Sequence, residues 1–192
     1  MAKLKLGIIV GSNRRESINR KLAQALARLG NDKFDSKFIK IDDLPIYNQD
    51  HENPLPGPVA RLKAEIEAAD GVLFVTPEHS RSIPAVLKNA IDWGARPYGK
   101  SSWRNKPAAV IGTSGGVIST AVAQTHLRAV LNSGVAMHVM GGETYIQFKP
   151  DLIDPQNNVA DESVRKFLQA FVDQFADFAG KLRVQPARQA AA

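Results

Sequence analysis

The chain of 192 residues contains no cysteine. That single absence removes disulfides, thiolate metal sites, iron–sulfur clusters and cysteine nucleophiles together. Aromatic residues are few, 7% of the chain, and the two Trp and three Tyr do not interleave with basic residues as a nucleic-acid stripe would. Long apolar runs are missing as well. The stretch from Leu6 to Val10 is too short for a signal-peptide core, and no window approaches the ~20 apolar residues of a membrane span. Neither a nucleic-acid nor a membrane partner is expected, and a cytoplasmic address is compatible with the composition. The four histidines, His51, His79, His126 and His138, show no ligand spacing, so no metal is expected. No G-x-S-x-G elbow occurs, which leaves Ser/His/Asp catalysis without its strained turn.

What the chain has is an ordinary globular balance of 44% apolar and 23% charged residues, enough for a real core in one domain. Lys+Arg exceed Asp+Glu by 25 − 19 = 6, a charge that would attract small anions to a cleft as readily as nucleic acid. Short apolar runs alternate with helical periodicity. Leu4 to Val10, Phe34 to Ile41, Gly71 to Thr76, Pro107 to Ile111 and Val135 to Met140 read as strands. Between them, Ser17 to Leu29, Val59 to Ala69, Pro84 to about Trp93 and Ser119 to Leu131 carry apolar residues at three- and four-residue steps. A last helix presents Val164, Phe167, Leu168, Phe171, Val172, Phe175 and Phe178 on one apolar face, with Gly180 as its expected stop. Trp93 and Trp103 read as packing or interface residues. The pattern predicts an α/β fold: one doubly wound domain over residues 1–183, with a five-stranded parallel sheet, and a loose tail over 184–192.

Ligands in such sheets bind at the carboxyl ends of the strands, so three loops matter. The first, Gly11 to Arg20, joins a strand to a helix N-terminus, where free N–H groups and the helix dipole favour a phosphate. Ser12, Ser17, Asn19 and Arg14 add donors, although capping of the helix would by itself explain Ser17. The second, Pro77-Glu78-His79-Ser80-Arg81-Ser82-Ile83-Pro84, is stiffened by two prolines and taken alone reads first as a structural loop. The third, Gly112-Thr113-Ser114-Gly115-Gly116, lets backbone approach a ligand held by the other two, or is simply a turn. One literal match misleads. Gly94 to Ser101 fits G-x-x-x-x-G-K-[ST], but a helix precedes it and a strand follows closely, the reverse of what a phosphate loop needs.

Several segments together resemble the NAD(P)H-dependent FMN reductase family, with bacterial quinone and chromate reductases most similar. They are Gly11-Ser12-x-Arg14-x-x-Ser17-x-Asn19-Arg20, Leu44-Pro45-x-Tyr47, Ala69 to Glu78, Leu87-Lys88-Asn89-Ala90-Ile91-Asp92-Trp93 and Gln124-x-His126-Leu127-Arg128. The resemblance implies a flavodoxin-like sheet of strand order 2-1-3-4-5 and non-covalent FMN, with NAD(P)H as co-substrate. It places Ser12, Arg14, Ser17, Ile18 (through its backbone) and Asn19 at the phosphate. Pro77, Glu78, His79, Ser80 and Arg81 would edge the ring system on one side, with Ser114 and Gly115 on the other. It further implies hydride transfer to FMN and onward electron transfer to quinones or to acceptors such as chromate, ping-pong kinetics, a homodimer or homotetramer, and no catalytic acid or base among the side chains. A flavodoxin-type electron carrier is the alternative, and such carriers tend to be acidic. Two departures stand out: His79-Ser80 replaces the family's common Tyr-Asn, and Ala85 its common Gly.

Overall fold

The structure, a computed structural model, describes residues 2–183, so the expected tail over 184–192 lies outside it. Six strands and five principal helices alternate: β1 (Leu4–Val10), α1 (Ile18–Leu29), β2 (Phe34–Phe38), α2 (Gly57–Ala68), β3 (Gly71–Val75), α3 (Ala85–Ala95), β4 (Pro107–Ser114), α4 (Ala121–Ala129), β5 (His138–Val139), β6 (Tyr145–Gln147) and α5 (Glu162–Leu182). The sheet runs β2-β1-β3-β4-β5, all parallel, and β6 pairs with the far end of β4. This is the flavodoxin-like order that the family resemblance implies, with β6 added to the five strands expected.

Alternation along the central strands divides the core. Ile8, Val10, Leu73, Val75, Ala109 and Ile111 face α1 and α5, packing on Leu22, Leu26, Phe171 and Phe175. Ile9, Val72, Phe74, Ala108 and Val110 face the other way, onto Val59, Leu62, Leu87, Ile91 and Leu127. Strands buried on both faces must be apolar at every position, which is why they read as continuous runs. Each fully buried Leu, Ile or Phe contributes about 1.5–3 kcal/mol, so these two layers set the sheet's geometry and, with it, the position of the loops at its carboxyl edge. Trp93 and Trp103 are both completely buried, which settles them as packing residues.

Four boundaries differ from the sequence reading. The strand expected over Val135 to Met140 is reduced to His138–Val139: α4 continues into a wide π-type turn over Val130–Gly134, and the Val135 and Met137 N–H groups donate back to its Val130 and Leu131 carbonyls. The strand expected from Phe34 to Ile41 ends at Phe38. β4 passes through Gly112 to Ser114, since β6 supplies partners there. Gly180 does not stop α5, which continues to Leu182, and Phe167 is 47% exposed rather than core.

Candidate functional site

The three loops expected to carry function leave β1, β3 and β4 at neighbouring positions on one edge of the sheet. In the first, Ser17 caps α1: its Oγ accepts from the Arg20 N–H at 3.2 Å. The N–H groups of Ile18 and Asn19 have no partner among the described residues and lie at the positive end of the helix dipole. Ser12 is half-buried beside them, its Oγ accepting from the Arg14 N–H. The Arg14 side chain is exposed and turned back, donating from Nε and Nη2 to the Glu16 carbonyl at 3.1 and 2.6 Å. Asn19 is buried, and its amide is fully engaged: Nδ2 donates to the Thr113 carbonyl at 2.9 Å, and the Thr113 N–H donates to Oδ1 at 3.0 Å. Asn19 therefore ties the first loop to β4.

The second loop is a hairpin. His79 and Ser82 exchange backbone hydrogen bonds at 3.0 and 2.9 Å, and Ser80 and Arg81 at its tip have φ of 49° and 62°. Two consecutive residues with positive φ match the tight hairpin turn that usually takes Asn-Gly, at about 1 kcal/mol or more apiece for residues with a Cβ. The hairpin is fastened at two points. The Glu78 carboxylate accepts from the Ala123 N–H in the first turn of α4 at 3.1 Å and from Arg81 Nη1 at 3.2 Å. Ser82 Oγ lies 3.2 Å from His126 Nδ1 on the same helix. Glu78 thus substitutes for a side-chain cap that α4 lacks at Thr120. His79, Ser80 and Arg81 stand exposed on the outer side.

In the third loop, Gly112 is required by geometry, because a Cβ there would overlap the Thr76 carbonyl oxygen and the Thr120 hydroxyl. Ser114 Oγ donates to the Ser119 carbonyl at 3.0 Å and accepts from the Gly116 N–H, so it shapes its own turn. β6 braces the whole: Ser119 Oγ donates to the Ile146 carbonyl at 2.7 Å, and Gln147 Nε2 donates to the Gly115 carbonyl at 3.0 Å. Gly115 is exposed, and Val117 and Ile118 beyond it expose apolar side chains.

All twelve candidate residues therefore lie on this edge, with distinct local engagements. Asn19, Glu78 and Ser114 hold loops to each other or to themselves. Ser12, Arg14, His79, Ser80, Arg81 and Gly115 reach the surface, and the N–H groups of Ile18 and Asn19 remain unpaired among the described residues. Pro77 opens the hairpin, where the Thr76 hydroxyl donates to its carbonyl at 2.8 Å. Two free N–H groups, a half-buried hydroxyl and a guanidinium around a helix N-terminus fit a phosphate monoester.

The model of the family described as NADPH-dependent FMN reductase matches residues 4–151, most of the chain and all three loops. The chain belongs to that family. This oxidoreductase family member is also 45% identical over 181 residues to a 2-hydroxy-1,4-benzoquinone reductase of Burkholderia, covering 94% of this chain and 99% of that protein. It is 45% identical to a quinone reductase of Pseudomonas putida, covering 90% and 93%. Among solved structures, FerB, a flavoenzyme NAD(P)H:(acceptor) oxidoreductase from Paracoccus denitrificans, superposes with a TM-score of 0.91 at 43% identity, covering 94% of this chain and all of that one. FMN and NAD(P)H are accordingly this reductase's cofactor and co-substrate. No helix among the described residues is long and apolar enough to cross a membrane.

Of the bracing residues, Ser82 and Thr113 lie in loops that the sequence singles out and His126 in the Gln124-x-His126-Leu127-Arg128 segment, but nothing in the sequence marks their bracing role, and Gln147 has no signal at all.

Proposed function

We propose that this enzyme reduces quinones at the expense of NAD(P)H in a ping-pong cycle, with oxidised anions such as chromate as further acceptors. The observation that carries the reading is the division of labour on the sheet edge. The first loop presents unpaired donors suited to a phosphate, while the second presents the exposed His79, Ser80 and Arg81 on a fixed hairpin. Bound FMN supplies hydride acceptance and donation at its ring system.

Ser12, Ser17, Arg14 and the N–H groups of Ile18 and Asn19 hold the phosphate. The hairpin from Pro77 through Arg81 and the turn at Ser114 and Gly115 border the ring. His79 and Ser80, where relatives commonly carry an aromatic and an amide, leave that border open, so nicotinamide and quinone use one face in turn. One shared face forces the first product to leave before the second substrate enters, and it requires no acid or base side chain.

Residues 1–183 act as one FMN-binding unit in the cytoplasm. The exposed Val117 and Ile118 beside the site support pairing of subunits as a homodimer or homotetramer.

The test is anaerobic stopped-flow mixing of the FMN-loaded protein with NADPH or NADH, followed by steady-state kinetics with a benzoquinone. Rapid loss of the flavin's visible absorption and parallel double-reciprocal lines are expected. Bleaching by a chemical one-electron reductant but by neither nicotinamide would replace this reading with that of an electron carrier.

A further inference from the structure

The hairpin from Pro77 to Pro84 carries a conflict that its own packing does not resolve. Arg81 sits at the tip with a φ of 62°, directly after Ser80 at 49°. Glycine adopts this conformation freely, whereas a residue with a Cβ is strained in it. The one partner that the Arg81 side chain has among the described residues is Glu78, with Nη1 donating to Oε1 at 3.2 Å. The Arg81 side chain remains 69% exposed, and exposed ion pairs contribute little to stability. The turn alone therefore does not account for an arginine at this position. Residues held in such conformations cluster where ligands are gripped.

The ion pair instead aims the guanidinium. Glu78 is nearly enclosed, and its second oxygen, Oε2, accepts from the Ala123 N–H at 3.1 Å. That N–H belongs to the first turn of α4, which has no acidic residue of its own, so the helix end shares the Glu78 charge. Arg81 is tethered through Nη1 only. Its Nε and Nη2 stay available, and its positive charge is only partly cancelled. His79, the hairpin's other titratable side chain, is exposed and adds no negative charge. Bonds from Glu78 and Ser82 to α4 fix the base from which the guanidinium projects.

We propose that Arg81 determines acceptor specificity: it selects quinones that carry a carboxylate or sulfonate over neutral quinones of similar size. Its planar fork meets two oxygens of such a group with two parallel bonds, which an ammonium does not do. The inference rests on the reading of this hairpin as the border of the flavin ring, since only there does a cation at its tip lie alongside a ring-sized acceptor. The excess of 25 Lys+Arg over 19 Asp+Glu draws anions toward the whole molecule. Arg81 decides where their charge docks.

The test compares 1,4-naphthoquinone-2-sulfonate with 2-methyl-1,4-naphthoquinone as acceptors for the FMN-saturated protein. The ratio of their kcat/KM values is followed, so that any general loss of turnover cancels. Naphthalene-2-sulfonate and naphthalene-2-sulfonamide, which take no electrons, are titrated calorimetrically into the same oxidised protein as a readout independent of turnover. The parent is expected to bind the sulfonate more tightly than the sulfonamide. Arg81→Gln should lower both ratios about tenfold. Arg81→Gly should do the same, and glycine accommodates a φ of 62° without strain, so the hairpin is retained. Arg81→Lys should fall between parent and Arg81→Gln. Added salt should shrink the preference of the parent and leave that of Arg81→Gln nearly flat.

Equal binding of sulfonate and sulfonamide by the parent, or ratios that neither Arg81→Gln nor Arg81→Gly changes, would overturn the assignment while leaving the reductase intact. Sulfonate binding that falls in both variants, in a protein whose flavin neither nicotinamide reduces, would instead uphold Arg81 as the anion-selecting residue and remove the reductase reading.

Discussion

At the scale of single residues, the site depends on side chains that touch no ligand. Asn19 is the clearest case, since both ends of its buried amide satisfy one peptide unit of β4, and Thr113 is itself buried. Asn19→Ala would leave a buried N–H and a buried carbonyl unpaired, at about 1–3 kcal/mol each. Urea unfolding of the FMN-free protein should show a loss of about 2–4 kcal/mol, and a loss below about 1 kcal/mol would mean the two bonds are dispensable. Arg14 presents a different balance. Its guanidinium already donates to the Glu16 carbonyl, so holding a phosphate exchanges one set of bonds for a charge-assisted set. The net gain is then nearer 1.4 kcal/mol than 3, and Arg14→Ala should raise the FMN dissociation constant about tenfold. Fluorescence titration of the apoprotein checks this, and an unchanged constant would take Arg14 out of the site. Nothing in the sequence announced the Asn19–Thr113 link. The two residues are 94 positions apart, and an Asn in the first turn of a helix reads equally well as a ligand donor.

At the scale of elements, periodicity carried most of the fold. β1 and α1 matched their apolar patterns closely, Ser17 capped where it was expected to, and Gly30 ended the helix. The misreadings are those in which a neighbour, not the segment, decides. β6 is three residues long, too short for alternation to register, and exists because β4 extends past Gly112 to pair with it. β5 is short because Val135 and Met137, which an apolar count assigns to the strand, donate their N–H groups back to the Val130 and Leu131 carbonyls of the π-type turn after α4. Phe167 fitted the stripe of α5 but sits at its edge, beyond the reach of α1 and the sheet. Gly180 illustrates the same limit. A glycine in a helix marks an end only when the chain needs a left-handed turn there, and here the helix simply continues. A Cβ at Gly180 would meet nothing within 4 Å. Gly180→Ala should therefore stabilise the protein, by about 0.5 kcal/mol given its nearness to the fraying end. The corresponding rise in Tm is about 1–2 °C, readable by calorimetry, and a fall in Tm would show that the glycine does end the helix in solution.

At the scale of the whole molecule, loops and helix ends are fastened by polar clasps around the fold, and these have a common sign with pH. The loop from Leu44 to Glu52 is fastened to α3 by such a clasp. The Tyr47 hydroxyl donates to Glu52 Oε1 at 2.7 Å and Arg96 Nε donates to the same oxygen at 2.6 Å, while Trp93 Nε1 and Asn89 Nδ2 both donate to the Pro45 carbonyl. The Tyr47 hydroxyl, first, and then Arg96 hold the Glu52 carboxyl below its usual range. Asp32, Asp154, Asp161, Glu162 and Asp173 are lowered too, each first by a side-chain hydrogen bond: from Lys33, Asn158, Ser163, Arg165 and Gln169 respectively. A carboxyl whose folded pKa lies below its unfolded one binds its proton more readily in the unfolded chain. Its contribution is complete above the unfolded value, about 4 for these groups, and disappears as pH falls through the folded value. With six carboxyls acting in one direction, unfolding free energy should decline steadily in acid below about pH 5, and added salt should shrink the part due to exposed ion pairs. Glu52→Gln isolates one of them. Without an ionised partner for Arg96, the variant should be less stable than the parent at pH 7, and the difference between the two should close as pH falls through the folded pKa of Glu52. Urea unfolding from pH 7 down to pH 3 measures that difference directly. A gap that stays constant to the lowest pH would show that the clasp does not depend on the Glu52 charge, and that the loop is held by the neutral bonds to Pro45 alone.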